Sequence, residues 1–445
     1  MAVTDTTGGY IDRIGFGRFQ TRLLFVCGAG WLADAWEVVL VAFIVPGIIS
    51  EWSLSNGEAS LVISSIFIGM LVGAWFWGSI SDYLGRRLGF QYTVLIDSVF
   101  GLLSAFSPNF LVLALLRGLT GFGVGGTLPV DYSVFAEYLP TKRRGRYLVY
   151  LESFWAVGTV VAAGIAFLVT GAVGATPGWR YLLAISAAPG LVIFLIRRYI
   201  PESPRYLVLQ GRESEAREVL RRVAAENAVD IEVGEITAEE KTTKFTVSAL
   251  WIGRFVKTTL MLWVAWFTIS IGYYGVWTWL PKILAERLQL APAEFHHAYW
   301  YVFLMAFAQL PGYFSAAYLI ERIGRKWTLG SYLVASGLFT YLFAQLTGLT
   351  SIVSALIMMA FFSLGAWGSL YAYTPELYPT EIRSTGMGWA AGMTRIAGIL
   401  APFLPALLTL PLALLVFGGA FVVGGVAVIA LGRETMGQAL LETAK

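Results

Sequence analysis

Twelve long apolar runs dominate this chain of 445 residues. A helix needs roughly 20 mostly apolar residues to cross the hydrocarbon core of a bilayer. The runs occupy residues 21–49, 59–80, 88–107, 110–136, 146–171, 178–199, 255–280, 296–320, 328–347, 349–374, 385–409 and 411–431. The first dozen residues are polar and hold no apolar segment behind a cleavage site, so we expect the first run to stay as a membrane helix. The sequence therefore predicts an all-α integral membrane protein with twelve transmembrane helices.

The composition agrees with a chain that has the bilayer as its solvent. Hydrophobic residues make up 57% and charged residues 13%, whereas about 25% of a soluble domain is charged. This excludes an ordinary cytosolic enzyme and any disordered or fibrous class. A net charge of +3 without a long basic block argues against nucleic acid as a partner. The single cysteine, Cys27, allows neither a disulfide framework nor a Cys-based metal site, and we expect it to be a small buried hydrophobe.

Lys and Arg are unevenly distributed about the predicted spans. Of the 31, 26 lie in or at the edges of the N-terminus, the segments between even- and odd-numbered spans, and the C-terminus. The opposite loops hold Arg180, Lys282 and Arg287, while Arg117 and Arg395 fall inside spans. Since short cytoplasmic loops carry the excess of Lys and Arg, we expect both termini to be cytoplasmic, in a plasma (inner) membrane.

An internal repeat divides the chain in two. Residues 82–87 (Asp-Tyr-Leu-Gly-Arg-Arg) recur as 321–326 (Glu-Arg-Ile-Gly-Arg-Lys), and residues 137–141 recur as 376–380, both with an offset of 239. Two unrelated motifs with one offset indicate two parallel six-helix halves, with a substrate path at their interface near the bilayer midplane.

The segment between the halves is dense in charge. There Ala216, Val219, Leu220 and Val223 recur at helical spacing, which predicts an amphipathic helix. We therefore predict five regions: a cytoplasmic N-terminal segment (1–20), the N-terminal half (21–199), a cytoplasmic linker (200–250), the C-terminal half (251–432) and a cytoplasmic tail (433–445).

Three motifs point to a known fold. They are Gly78-Ser79-Ile80-Ser81-Asp82-Tyr83-Leu84-Gly85-Arg86-Arg87 after the second span, Arg117 followed by Gly121, Gly123, Gly125 and Gly126, and Pro201-Glu202-Ser203-Pro204-Arg205 after the sixth span. Together they resemble the signatures of the major facilitator superfamily over almost the whole chain. The resemblance implies two pseudo-symmetric six-helix halves and transport by alternating access.

Four further motifs resemble one branch of that superfamily. They are Asp34-Ala35-Trp36-Glu37, Leu128-Pro129-Val130-Asp131, Tyr273-Tyr274-Gly275-Val276-Trp277 and Arg395-Ile396-Ala397-Gly398-Ile399-Leu400-Ala401-Pro402. The branch contains synaptic-vesicle-two-like proteins, bacterial niacin permeases and organic-ion transporters. Sugar porters carry a glutamine pair and an asparagine in helix seven that this chain lacks. A sugar or polyol is therefore a less favoured substrate. Their sugar-binding glutamine in helix five falls on Glu152, and the Pro-Glu-Thr ending of many relatives reads Arg433-Glu434-Thr435.

Charged residues within the predicted spans are candidate functional positions, because a charge in mid-bilayer costs roughly 2.5–3.5 kcal/mol. Asp34 and Glu37 are three residues apart and share one face of the first helix. Two close carboxylates compete for ionisation, so one of them can exchange a proton near neutral pH. Aromatic-acid proton symporters carry a similar pair, which supports proton coupling; a structural helix-end ion pair is the alternative.

Three other charges have two interpretations each. Glu152, about two turns into the fifth helix, is expected to bind substrate or a proton, or to be the buried partner of an arginine. Arg395 has a rigid fork of donors that suits a substrate carboxylate, or it forms a salt bridge to Glu152 or Glu37. Arg117 matches a superfamily position linked to proton coupling, or it ties structurally to Asp34 or Glu37. Asp97 is expected to be structural.

A second group of charges is predicted to latch the two halves together on the inside and to gate the path without binding substrate. The group consists of Asp82, Arg86, Arg87, Asp131, Glu137, Arg144, Glu321, Arg325, Lys326, Glu376 and Arg383.

Five aromatic residues are candidate walls for a planar ring, with packing as the alternative role for each. They are Trp36, Trp155, Tyr273, Tyr274 and Trp277. Two adjacent histidines, His296 and His297, lack other ligands at suitable spacing and are expected to be interfacial, so no metal is expected. No phosphate-binding Gly-rich loop followed by Lys-Ser/Thr is present, which leaves ATP-driven pumping without a motif. We expect no enzymatic activity and no cofactor.

The leading functional hypothesis is a monomeric secondary active transporter that carries a small organic anion, such as nicotinate or benzoate, together with a proton. An organic cation with Glu152 as its counter-ion is the nearest alternative. A non-transporting membrane receptor or scaffold is disfavoured, because the loops are short and the linker is modest.

Overall fold

The computed structural model describes residues 5–142, 144–237, 247–253, 255–290 and 294–436. Twelve long helical segments run through these ranges. They are α1 (Arg18–Trp52), α2 (Asn56–Leu84), α3 (Arg86–Ser104), α4 (Phe110–Glu137), α5 (Arg144–Val173), α6 (Ala175–Ile185 and Val192–Tyr199), α7 (Phe255–Trp277), α8 (Phe295–Leu319), α9 (Arg325–Gln345), α10 (Leu349–Glu376), α11 (Thr380–Leu400) and α12 (Leu410–Leu431). The all-α, two-half architecture predicted from the sequence is confirmed.

Nine helices in the described ranges are long and apolar enough to cross a membrane by themselves. The other three segments are α3, α6 and α9. Both α3 and α9 begin with two basic residues, and α6 is interrupted by a short 3-10 turn at Ala188–Leu191. Each nevertheless packs lengthwise on a strongly apolar neighbour: α3 on α4, α6 on α1, and α9 on α10 and α12. Together with these neighbours, they complete the six helices of each half.

The internal repeat reappears as matching side-chain geometry at the start of α3 and α9. Gly85 (φ 96°) and Gly324 (φ 100°) precede these helices in a conformation that glycine adopts without strain. Glu202 Oε1 accepts hydrogen bonds from the backbone N of Arg86 and Arg87, at 3.0 and 3.3 Å. Glu434 plays the same role for α9, accepting from the backbone N of residues 325 and 326 at 2.9 and 3.2 Å. The replacement of the relatives' proline by Arg433 therefore leaves this cap in place.

Ion pairs of the predicted gating group lie within the halves. Arg86 pairs with Glu137 at 3.5 Å, and Arg325 pairs with Glu376 at 3.2 Å. These two pairs are related by the offset of 239. Arg325 also contacts Glu321 at 2.9 Å.

The prediction that this group latches one half to the other is therefore wrong for the pairs described, since each joins helices of a single half. Arg144 and Arg383 donate to the carbonyl oxygens of Leu139 and Tyr378, at 3.0 and 3.3 Å, also within their own halves. The side chain of Asp82 lies outside the described residues.

The first and last described residues, Asp5 and Met436, lie on the same side of the helices as the described part of the linker; we call this the terminal side. The linker helix Glu213–Glu226 buries Ala216, Leu220 and Val223. Its end pairs with α1 through Arg22 and Glu226. Strand β1 (Asp5–Thr6) pairs in parallel with strand β2 (Ile236–Thr237). The N-terminal segment and linker thus pack together against the N-terminal half.

The two halves are joined by hydrogen bonds on the side opposite the termini. Ser60 and Ser64 of α2 donate to the carbonyl oxygens of Pro402 and Ile399, at 2.7 and 2.8 Å. Tyr299 of α8 donates to the carbonyl oxygen of residue 43 in α1 at 3.0 Å. These contacts close the interface on the opposite side.

We expect Glu434→Ala to lower thermal stability, because two backbone N–H groups at the start of α9 lose their acceptor. Removal of an N-terminal capping side chain costs about 0.5–2 kcal/mol. The melting temperature of the purified protein in detergent measures the effect. Glu218→Ala, an exposed position on the linker helix, is the matched control. Equal melting temperatures for the two variants would contradict a capping role.

Candidate substrate cavity and buried charge cluster

A small cavity of about 30 Å³ lies between the two halves. This volume has room for about one or two water molecules, so the cavity is nearly closed. Its lining comes from α1, α5, α7, α8, α10 and α11, so both halves contribute. The lining residues are Trp31, Trp155, Tyr273, Tyr274, Tyr313, Leu364, Trp367, Tyr371, Thr394 and Arg395.

Arg395 supplies the positive charge of the cavity. It lies on α11, is half-buried, and forms no hydrogen bond or ion pair with any residue that the structure describes. Asp34, Tyr274 and Tyr371 lie within electrostatic range of its guanidinium group. The alternative salt bridges to Glu152 or Glu37 are not formed. The guanidinium donors are therefore available to a ligand.

Aromatic rings make up most of the cavity wall. Three of the five predicted wall residues, Trp155, Tyr273 and Tyr274, line the cavity. Trp36 and Trp277 are buried outside the lining, and the Trp277 ring packs 5.5 Å from that of Tyr273.

Sequence reasoning missed four further aromatic lining residues: Trp31, Tyr313, Trp367 and Tyr371. A usable signal existed for Trp31, which is one turn from Asp34. The i, i+4 spacing of Trp367 and Tyr371 places both on one face of α10.

Arg117 and Glu37 form a fully buried ion pair. Arg117 NH1 lies 2.5 Å from Glu37 Oε2, and Arg117 NH2 donates to the Glu37 carbonyl oxygen at 2.7 Å. Both side chains have no exposed surface. Of the interpretations left open by the sequence, the structure shows the tie to Glu37. The pair joins α4 to α1.

Three more buried carboxylates lie next to this pair or next to one another. Asp34, Asp97 and Asp131 are buried, and each has one carboxylate oxygen without a hydrogen-bond partner in the described ranges. Asp34 lies within electrostatic range of Asp131 and Glu37, and Asp97 within range of Glu37 and Arg117. The N-terminal half therefore buries four carboxylates and one guanidinium group in a chain of neighbouring charges, an arrangement that we call the acid cluster.

The position of Asp131 corrects its predicted role. We expected it in the gating group with Glu137 and Arg144. Instead it is fully buried and accepts a hydrogen bond from Trp31 Nε1 at 3.2 Å. The reason is its depth: Asp131 lies more than one turn inside the end of α4 and faces α1. It belongs to the acid cluster.

Glu152 lies close to the cavity without lining it. Its side chain is 2% exposed, and its Oε2 has no hydrogen-bond partner among the described residues. Tyr132, Tyr313 and Tyr371 lie within electrostatic range. No arginine pairs with it in the ranges described.

No group of three or more His, Cys, Asp and Glu side chains in those ranges is placed to hold a metal ion.

Two pseudo-symmetric six-helix halves with a central cavity between them define a membrane transporter of the major facilitator type. The family model described as "Sugar (and other) transporter" matches residues 32–445. The chain belongs to this family of the major facilitator superfamily.

Curated relatives resemble the chain over nearly its whole length. The niacin transporter NiaP of Acinetobacter baylyi is 37% identical over 97% of this chain and 98% of its own length. The putative niacin/nicotinamide transporter NiaP of Bacillus subtilis is 38% identical over 86% of this chain and 88% of its own. Organic cation/carnitine transporter 7 of Arabidopsis thaliana is 34% identical over 97% and 94%.

Solved structures show the same fold. The xylose transporter XylE from E. coli, in a partially occluded inward open conformation, superposes with a TM-score of 0.77. The alignment covers 95% of this chain and 100% of that chain at 17% sequence identity. At this identity the likeness is evidence for the fold alone.

We expect Arg117→Met to destabilise the protein strongly, because the Glu37 carboxylate would stay buried without its partner. Breaking a buried pair by removing one partner costs about 3–5 kcal/mol. The double variant Glu37→Gln/Arg117→Met removes the stranded charge and should recover part of the loss. Melting temperatures in detergent compare the two. A double variant no more stable than Arg117→Met would argue against a stranded charge.

Proposed function

We propose that the protein is a proton-coupled symporter of a small organic anion, namely an aromatic or heteroaromatic carboxylate such as nicotinate or benzoate. The observation that carries the proposal is the guanidinium of Arg395, which has no partner among the described residues and lies in a cavity walled by aromatic rings. An arginine fork binds a carboxylate through two parallel hydrogen bonds. Aromatic faces stack on a planar ring. The names of the two NiaP relatives support a substrate of this kind.

Proton coupling follows from the charges around Arg395. Asp34 belongs to the acid cluster and lies within electrostatic range of Arg395. A substrate carboxylate on the guanidinium would cancel part of the positive charge that stabilises ionised Asp34. Anion binding therefore favours proton binding at Asp34, and by linkage the proton favours the anion. Ligands that favour each other's binding in this way load together, which is one requirement for symport.

Alternating access would move this site between the two sides. We infer that the terminal side is cytoplasmic, since short cytoplasmic loops are rich in Lys and Arg. The hydrogen bonds of Ser60, Ser64 and Tyr299 between the halves then lie on the outer side. Toward the cytoplasm, Trp31 and Tyr371 approach from opposite halves with ring centroids 6.5 Å apart. We place the protein in the plasma (inner) membrane as a monomer.

An organic cation is the second candidate substrate. Glu152 supports it, because its buried carboxylate has no cationic partner in the described ranges. A cation in the cavity would supply that partner. The anion is favoured because Arg395 lines the cavity and Glu152 does not.

We expect proteoliposomes to accumulate nicotinate when a pH gradient is imposed, and Arg395→Ala to reduce this uptake to the background level. Arg212→Ala, an exposed position near the linker helix, is the matched control. Parallel uptake of N-methylnicotinamide, a cation of similar size, tests the second candidate. Cation uptake that is lost in Glu152→Gln, with no uptake of nicotinate, would reverse the proposed substrate charge.

Asp34→Asn should separate the proton from the anion. An amide cannot exchange a proton, so accumulation driven by the pH gradient should fall relative to nicotinate counterflow, which needs no gradient. The ratio of the two rates in proteoliposomes is the readout. Asp230→Asn, at an exposed carboxylate near the linker helix, is the control. An unchanged ratio in Asp34→Asn would assign proton coupling to another group.

A further inference from the structure

Three neutral polar groups lie together where α5, α7 and α8 meet the cavity. The Tyr273 hydroxyl lies beside the indole N–H of Trp155 and the side-chain amide of Gln309. We call these three residues the Gln309 trio. Gln309 has no exposed surface. Its Nε2 and Oε1, and the Tyr273 hydroxyl, have no hydrogen-bond partner of good geometry among the described residues.

Buried polar atoms without hydrogen-bond partners, such as those of Gln309 and Tyr273, are unusual. The large majority of buried side-chain polar atoms in proteins have at least one hydrogen-bond partner, and each exception calls for an explanation. A buried amide is costly when neither of its atoms is bonded. The expected explanation at a binding site is a ligand that completes the hydrogen bonds.

The trio is placed to meet a ligand. Trp155 and Tyr273 line the cavity. Gln309 lies one turn from Tyr313 on α8, so the two share a helix face, and Tyr313 also lines the cavity. The amide of Gln309 therefore lies directly behind the aromatic wall. The cavity thus has two polar positions, the Arg395 guanidinium and this trio.

Donor and acceptor chemistry determines what the trio can bind. An indole N–H can only donate, so the Tyr273 oxygen is the acceptor for Trp155 once a bound ligand aligns the two groups. The second lone pair of that oxygen can accept from the Gln309 amide nitrogen. The single hydroxyl hydrogen of Tyr273 is then left to donate into the cavity. The ligand atom that fits it is a hydrogen-bond acceptor.

We infer that the Gln309 trio recognises a hydrogen-bond acceptor on the substrate ring. The Tyr273 hydroxyl contacts this acceptor, and Gln309 positions the hydroxyl. The inference rests on the proposed carboxylate transport. It names the substrate class more narrowly, as a heteroaromatic carboxylate whose ring nitrogen accepts this bond. Benzoate offers the carboxylate to Arg395 but no ring acceptor to the trio.

Competition against labelled nicotinate uptake in proteoliposomes tests the inference. Sites built around a hydrogen bond reject analogues that lack it, so unlabelled benzoate should compete about tenfold less well than unlabelled nicotinate in the wild type. Gln309→Met keeps the length of the side chain and removes the amide. It should reduce the nicotinate-to-benzoate affinity ratio to near one, and Tyr273→Phe should do the same.

The double variant distinguishes positioning from packing. If Gln309 acts through Tyr273, Gln309→Met/Tyr273→Phe should have the same affinity ratio as either single variant. A loss of affinity that is equal for both ligands would indicate packing and overturn the inference. Equal competition by benzoate and nicotinate in the wild type would overturn it without any variant. If labelled nicotinate is not taken up while N-methylnicotinamide is transported, the proposed function fails instead.

Discussion

The buried ion pair between Arg117 and Glu37 determines the charge balance of the whole site. It joins α4 to α1 with both side chains removed from solvent. Because the pair uses the one arginine of the acid cluster, no cation of the N-terminal half interacts with Asp34 among the residues that the structure describes. The nearest unpaired cation is Arg395, on the other half.

The positions of Asp34 and Arg395 on opposite halves matter for transport. Alternating access moves one six-helix half against the other around a central site. Asp34 on α1 and Arg395 on α11 therefore belong to different moving bodies, and their separation depends on the conformation. A proton on Asp34 and an anion on Arg395 weaken the attraction between the halves in the same way. In the proposed mechanism, loading both would remove the charge mismatch that hinders rearrangement when only one is bound.

The sequence predicted features that depend on charge or on short motifs. Arg395 and Glu152 were found because a charge in an apolar run is costly and therefore conspicuous. The positions of Tyr313 and Gln309 could not be predicted, because neutral residues in a membrane helix carry no such cost and helix rotation cannot be read from an apolar run. Asp131 was placed with the gating group because span boundaries are uncertain by several residues. One turn of depth separates a gating position from the acid cluster.

The two halves are alike in scaffold and different in chemistry. The pairs Arg86–Glu137 and Arg325–Glu376 repeat at an offset of 239, as do the glycines before α3 and α9. The functional charges do not repeat. At the same offset, Asp34 corresponds to Tyr273, Glu37 to Val276, Arg117 to Leu356 and Arg395 to Ala156. The repeated residues stabilise the packing within each half, a requirement that the two halves share. Under the proposed function, the unrepeated ones would give the N-terminal half proton-binding groups and the C-terminal half an anion-binding group, so that one cavity would bind two different ions.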